Sequence, residues 1–311
     1  MNSIFSTATE AAARITHLTW FMIITATIVY VVVIAIMIIA ANRNRQRNPT
    51  DVDLSNPGTR WVIIGGLIMP ALIMGAVFIV SLGAMGRARN PRAVVRIDIT
   101  GHQWWWEARY RFPDLPDQFA TANEIHVPVG APVRLVLTSA DVIHSFWVPQ
   151  LQGKIDLIPG DTNEVRLNVQ RAGTYRGACS EFCGMQHAKM GMLVIAEDST
   201  TFRKWARDQI AEARAPIDSL AMEGKHLFES GPCSLCHMVR GTSAKATVGP
   251  ELTHVGSRST IAAVALPNSY GNLEAWIANA QSLKPGAKMP TLTQFNGEQL
   301  RAMAAYVASL K

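Results

Sequence analysis

The chain has 311 residues, enough for two or three domains, with 49% hydrophobic and 17% charged residues and a formal net charge of +6. That charge is unevenly spread: +4 up to Asn90, −2 from Pro91 to Thr200 and +4 beyond. No Lys/Arg-rich run accompanies the basic balance, and the middle third is mildly acidic, which excludes nucleic acid as the partner.

Thr19 to Ala41 and Trp61 to Gly86 contain no charged residue. Each run exceeds the ~20 residues that span the hydrocarbon core of a bilayer as a helix. The first is longer than the apolar part of a cleaved signal, and Arg14 is the only base before it. The pattern predicts two retained transmembrane helices, about 18–41 and 61–86, joined by the polar loop Asn42–Arg60 in a hairpin over residues 1–90. Charge does not orient it: Arg43, Arg45, Arg47 and Arg60 in the loop are matched by Arg87, Arg89, Arg92 and Arg96 after the second helix.

From Val94 the period changes to two. Val95, Ile97 and Ile99 alternate with Arg96, Asp98 and Thr100, and similar alternation recurs at Val133, Leu135 and Leu137 and at Val165, Leu167 and Val169. Turn signals separate these runs at Pro113, Pro128 to Pro132, Pro159-Gly160 and Gly173. Short strands at such spacing predict a β-sandwich or barrel over residues 91–198.

Inside it, Cys179-Ser-Glu-Phe-Cys183-Gly-Met-Gln-His187-Ala-Lys-Met190 places two thiols, an imidazole and a thioether within twelve residues. Soft sulfur beside imidazole selects copper, zinc or iron, and a weak axial Met is the copper electron-transfer pattern. Two cysteines four apart bridge two metals if a second His is present, and Asp141-Val-Ile-His144 supplies one. A Cys179–Cys183 disulfide is the competing reading. His102 and His126 lack a neighbouring ligand and read as structural, Met185 and Met192 as loop and core, and Trp105 and Trp106 as packing or electron path alike.

Thr200 to Ala215 reads as a charged helix stopped by Pro216, a semi-rigid connector over residues 199–216. Residues 217–311 follow, with Cys233-Ser-Leu-Cys236-His237. C-x-x-C-H is the c-type haem attachment signature, both sulfurs forming thioethers and the His binding iron, although the pentapeptide alone also fits a redox dithiol. Glu298 to Leu310 predicts an amphipathic helix with Leu300, Met303, Ala304 and Val307 on one face.

The His144 segment, the Cys179–Met190 run and Gly101-His-Gln-Trp104-Trp-Trp106 together resemble cytochrome c oxidase subunit II over roughly residues 15 to 200. Residues 217–311 resemble class I cytochrome c, through Cys233–His237, Val248–Gly256 as the loop packing on the proximal His, and Lys288-Met289-Pro290 as the distal loop. The resemblance implies a multi-domain membrane protein: a two-helix transmembrane hairpin, a β-sandwich or barrel cupredoxin domain and an all-α class I cytochrome c domain. It further implies a dinuclear copper-A centre in which Cys179 and Cys183 bridge both coppers and His144 and His187 cap one each. Met190 is then a weak ligand to one copper and the Glu181 carbonyl serves the other, while the Glu181 carboxylate binds magnesium at the contact with subunit I. Met289 becomes the sixth ligand of haem iron, ahead of Met303, Met238 and His254, and Trp104 the aromatic through which electrons enter.

Because cells attach such haems outside the cytoplasm, both termini are expected on the periplasmic face of a bacterial inner membrane, with Arg43 to Arg47 inside. The implied function is an electron-input subunit of a haem–copper terminal oxidase. It passes electrons from haem c to copper-A and on to subunit I, where dioxygen becomes water with proton pumping. The implied partners are subunits I and III and an upstream cytochrome bc complex or another cytochrome c. Two alternatives remain at this point: the same role in a nitric oxide reductase, or a copper-binding assembly module. A quinol-oxidase subunit is disfavoured because every copper-ligand position is filled. One departure from the family is the stretch Thr59-Arg-Trp-Val-Ile-Ile-Gly-Gly, which lacks the Glu that many members use in a proton path; the nearest acids are Asp51 and Asp53.

Overall fold

The computed structural model describes residues 5–44, 58–85, 93–113 and 118–311. Residues 11–89 form one compact unit, and residues 1–10 with 90–311 form a second. Arg45, Arg47, Asp51, Asp53, Arg87, Arg89 and Arg92 lie outside the described residues.

In the first unit, α1 covers Glu10–Asn44. The second apolar run is α2 (Gly58–Ile63), a π-helical turn (Ile64–Ile68) and α3 (Met69–Ala84). One regular helix is interrupted here because Pro70 has no N–H to give the preceding turn, and Gly65-Gly66 tolerates the widened turn. Both helical segments are long and apolar enough to cross a membrane, and their apolar windows are 0% buried within the protein. A soluble core helix would bury that surface; here it faces outward, as a lipid-exposed helix requires.

In the second unit, the alternating strands build a sandwich. β1 (Val95–His102), β2 (Trp105–Arg111), β3 (Phe119–Ala122), β4 (Glu124–Pro128) and β5 (Val133–Ser139) come first. β6 (His144–Trp147), β7 (Ile155–Leu157), β8 (Asn163–Leu167), β9 (Gly173–Cys179) and β10 (Gly191–Glu197) follow. One sheet has the order β3-β2-β1-β5-β8, the other β4-β10-β9-β6-β7. The inward residues of both, including Ile97, Ile99, Trp106, Leu135, Phe146, Met192 and Val194, interdigitate as one core. The chain changes sheet between β3 and β4 at Asn123, whose φ of 64° is left-handed. Asn tolerates that conformation, and its side-chain oxygen accepts the Trp106 N–H at 2.9 Å. The amino-terminal segment joins this body: Ala8 N–H donates to Gln150 O at 2.9 Å and Gln170 N–H to Ala8 O at 2.8 Å.

α4 (Ser199–Ile210) is capped by Asp198, which accepts from the Thr200 and Thr201 N–H groups. It packs into the sandwich core through Phe202 and Trp205, the latter stacked on His126 at 4.0 Å. The helix ends at Ile210, before Pro216, because the Arg240 guanidinium takes the terminal carbonyls of Gln209 and Ile210. Ala211 O then accepts from His254 Nε2 at 3.0 Å and the chain leaves in extended form.

The carboxy-terminal body holds α5 (Ser219–Ser230), β11 (Thr260–Ile261), β12 (Leu266–Pro267), α6 (Tyr270–Ala278), α7 (Ala280–Leu283) and α8 (Gly297–Ser309). α5 crosses α8 over a core of Phe228, Met303, Tyr306 and Val307. α8 starts with a capping box, Asn296 and Gln299 bonding each other's backbone N–H.

Candidate metal and haem sites

The loop between β9 and β10 and the start of β6 bring one set of donors together. Cys179 and Cys183 Sγ are 3.7 Å apart, far beyond the ~2.05 Å of a disulfide, and both thiols are free and buried. His144 Nδ1 is 3.9 Å from Cys179 Sγ, and His187 Nδ1 is 3.6 Å from Cys183 Sγ. Met190 Sδ lies 3.8 Å from Cys183 Sγ, and the Glu181 carbonyl oxygen lies 3.2 Å from Cys179 Sγ. The two sulfurs thus sit centrally, with one imidazole on each and a weaker donor on each. This donor set fits soft metal, copper above all, and has the symmetry of a sulfur-bridged pair. The Glu181 carboxylate points away from the sulfurs, to Lys154 Nζ at 3.0 Å.

Local packing explains the arrangement. His144 is fully buried, and there is room for its ring because Gly101 faces it; a Cβ there would lie 2.8 Å from His144 Cδ2. Its far nitrogen, Nε2, meets Asp141 Oδ1 at 2.8 Å, which leaves Nδ1 toward sulfur. Burial alone would raise the Asp141 pKa, but hydrogen bonds from His144, Gln103 N–H and Val142 N–H hold the carboxyl below its usual range. For the thiol pair, the hydrogen bond from Cys183 lowers the Cys179 pKa against burial, with His144 assisting, and the Cys183 thiol is pushed up in turn. The lowering at Cys179 favours the thiolate form that a metal ligand requires. The Cys183 carbonyl is pinned by two donors, Gln103 Nε2 at 2.8 Å and Trp104 Nε1 at 3.0 Å. Trp106 is fully buried with its ring 6.0 Å from that of His144.

The second site lies in the carboxy-terminal body. Cys233 and Cys236 open a short turn, with Cys236 and His237 N–H both donating to Cys233 O. His237 Nδ1 donates to Pro250 O at 2.7 Å, and burial keeps the imidazole less basic than usual. A neutral ring with its Nδ1 proton committed offers Nε2 to iron. Gly249 lies flat against the ring, 2.7 Å from its Cε1 if it carried a Cβ. Burial raises the Cys233 pKa to about 11, the opposite of a redox dithiol, so the residues fit covalent haem better than disulfide exchange. Met289 is half-buried and held through its carbonyl, which accepts from Gln281 Nε2 at 2.7 Å. Met303 is core, Met238 O accepts from Leu252 N–H, and His254 is spent on Ala211.

Asp141, Gln103 and Lys284 were not among the sequence-based candidates. Asp141 sits three residues before His144, a short-range signal; Lys284 had none. The Lys284 amine is 3% exposed and donates to Trp104 O at 2.7 Å and Ala262 O at 3.3 Å; burial lowers its pKa to about 7.

Both regions have counterparts among known proteins. The profile of the family described as cytochrome c oxidase subunit II, periplasmic domain, matches residues 115–197, and that of cytochrome c matches residues 221–311. The chain is 41% identical over 217 residues to cytochrome c oxidase subunit 2 of Alkalihalophilus pseudofirmus, covering 70% of this chain and 61% of that relative's length. It is 32% identical over 169 residues to that of Pneumocystis carinii, covering 46% of this chain and 68% of the relative. The solved periplasmic domain of subunit II of cytochrome oxidase from Bradyrhizobium japonicum is 34% identical, with 39% of this chain and 99% of that one covered and a TM-score of 0.36. The two profiles imply one copper-binding and one haem c-binding domain. The chain therefore belongs to the cytochrome c oxidase subunit II family and carries a cytochrome c domain fused behind the subunit II fold.

Proposed function

We propose that the chain is the electron-input subunit of a haem–copper oxidase, relaying electrons from its own haem c domain to a dinuclear copper-A centre and on to subunit I, where dioxygen is reduced to water with proton pumping. The observation that carries this reading is the buried pair of free sulfurs 3.7 Å apart, each with one imidazole Nδ1 and one weaker donor beside it. When bound, copper and haem supply one-electron redox changes without making or breaking bonds to substrate.

The chain's residues hold and tune the two groups. Cys179, Cys183, His144, His187, Met190 and the Glu181 carbonyl would hold the copper centre. Cys233 and Cys236 would form the thioethers to haem, and His237 and Met289 would bind its iron. Trp104, hydrogen-bonded to the Cys183 carbonyl, is the aromatic through which electrons enter the copper domain. The exposed Glu181 carboxylate is assigned to magnesium shared with subunit I. We divide the chain into the hairpin 1–90, the copper domain 91–198, the connector 199–216 and the haem domain 217–311. The copper and haem domains lie on the periplasmic face, and the union of Ala8 with the copper domain supports an even number of crossings between them. Subunit III and an upstream cytochrome bc complex or cytochrome c complete the partners.

Metal and spectral analysis of the purified chain tests this. The expected result is two coppers and one covalent haem per chain, with an electron-spin signal shared between the coppers. One labile copper, or no covalent haem, would sink the proposal.

A further inference from the structure

The copper and haem domains meet at a polar contact that neither metal site explains. Its centre is Glu124, the first residue of β4, which is 4% exposed. One oxygen, Oε1, accepts four hydrogen bonds from the haem domain: Ser259 N–H at 2.9 Å, Ser259 Oγ at 2.6 Å, Thr260 N–H at 2.9 Å and Thr260 Oγ1 at 3.1 Å. A carboxylate is costly to bury unless its lone pairs are taken, and the bonds it then accepts are charge-assisted. The left-handed Asn123 immediately before it turns β4 so that Glu124 occupies this position beside Leu193 of β10.

Next to this contact, Ala262, Ala263 and Val264 have φ values of 55°, 59° and 64°. Three consecutive left-handed residues with side chains are each strained and need tertiary bonds to hold them. The bond to Ala263 crosses the domain boundary, and the one to Ala262 comes from a lysine that itself reaches across it. Ala263 O accepts the N–H of Gly191, the residue after Met190, at 3.1 Å, and Ala262 O accepts from Lys284, which also holds Trp104 O. A Cβ on Gly191 would lie 3.1 Å from Ala263 O, tighter than most such contacts, so a side chain there would press on this approach. Farther along, Gln186 Nε2 donates to Pro285 O at 2.6 Å, Lys189 Nζ to Leu283 O at 2.8 Å, and Lys288 Nζ lies 3.3 Å from Asp141 Oδ2. The copper-ligand loop is thus seated on the segment leading to Met289.

We propose that Glu124 is a positioning residue whose buried carboxylate latches the haem domain against the copper-ligand loop, and that this latch sets the rate of electron passage between the two domains. The second half rests on the relay function proposed above; the first does not. The amides of Ser259 and Thr260 bond Glu124 directly, so their hydrogen exchange reads the latch without any reference to activity.

The experiment uses the full chain in detergent, loaded with copper and haem, as wild type and with Glu124→Ala, Glu124→Gln and the double change Ser259→Ala/Thr260→Val. The double change reaches the latch from the haem side should Glu124→Ala fail to fold. In wild type, peptides containing residues 259–260 and 191 are expected to exchange slowly. In Glu124→Ala they exchange at least about tenfold faster, with Glu124→Gln intermediate because it keeps the reach but not the charge. Copper spin and haem absorption spectra stay unchanged, while electron equilibration after photoreduction of the haem slows by roughly tenfold or more through misplacement of the domain. Unchanged exchange in both the Glu124→Ala and the double variant overturns the latch. Faster exchange with an unchanged electron rate overturns the positioning role. If wild type shows no electron passage at all, the relay reading fails, and the latch is still decided by exchange.

Discussion

Asp141 shows how one carboxylate conditions a proposed metal ligand from outside the cluster of donors. It holds His144 Nε2, accepts from two backbone N–H groups, and meets Lys288 from the haem domain. Asp141→Asn keeps an acceptor for His144 but loses the charge that orients the ring and binds Lys288. Copper should then be lost to a chelator at roughly 10–100-fold lower chelator activity than in wild type, with the haem spectrum unaffected; copper retention measured against a competing ligand checks this. The ligands themselves were legible because sulfur, imidazole and thioether crowd into twelve residues. Asp141 was legible only as a neighbour, since nothing local says which of its possible partners it takes.

Two helices illustrate the step from residue to element. Asp198 caps α4 through Thr200 N–H and through Thr201, whose hydroxyl and N–H bonds hold the carboxyl below its usual value of 3.8. An acid whose pKa is lowered by folding contributes stability above its unfolded value, and that contribution is lost as pH falls through the folded value. Asp198→Ala should lower the thermal midpoint at neutral pH, and the gap to wild type should close as pH falls below 3.8; melting curves across that range check the sign. In the haem domain α5 meets α8 at Gly224, where a Cβ would lie 1.9 Å from Ala302 O, inside the backbone of the partner helix. Gly224→Ala forces the helices apart and should cost about 3 kcal/mol or more, abolishing haem attachment while copper binding survives. Covalent haem and copper content measured on one preparation would show it. The amphipathic face of α8 could be read from spacing, but the early stop of α4 could not, because Arg240, thirty residues on, supplies the cap.

At the scale of the molecule, two apolar helical segments have outward-facing side chains, and all four cysteines belong to the other unit. The chain should therefore stay in the membrane fraction through an alkaline carbonate wash and leave it only in detergent; release by carbonate would contradict the spanning reading. The helical connector, expected as a semi-rigid spacer, instead packs Phe202 and Trp205 into the sandwich core. Its exit is tied down by Arg240 and His254, so the haem domain starts from a fixed point. A short, anchored link of this kind raises the effective concentration of one domain at the other.

Composition, period and motif spacing by themselves determined the apolar helical segments, the sandwich, the haem domain and the residues proposed as ligands. Each of those signals is local, set by the alternation of a strand, the length of an apolar run or donors close along the chain. Tertiary structure alone decided which nitrogen of His144 faces sulfur, where the connector stops, and how Glu124 and Lys284 join the two domains. The Glu124 and Lys284 contacts link residues more than a hundred positions apart, and a buried carboxylate or amine shows its role only once the partners that satisfy it are in place.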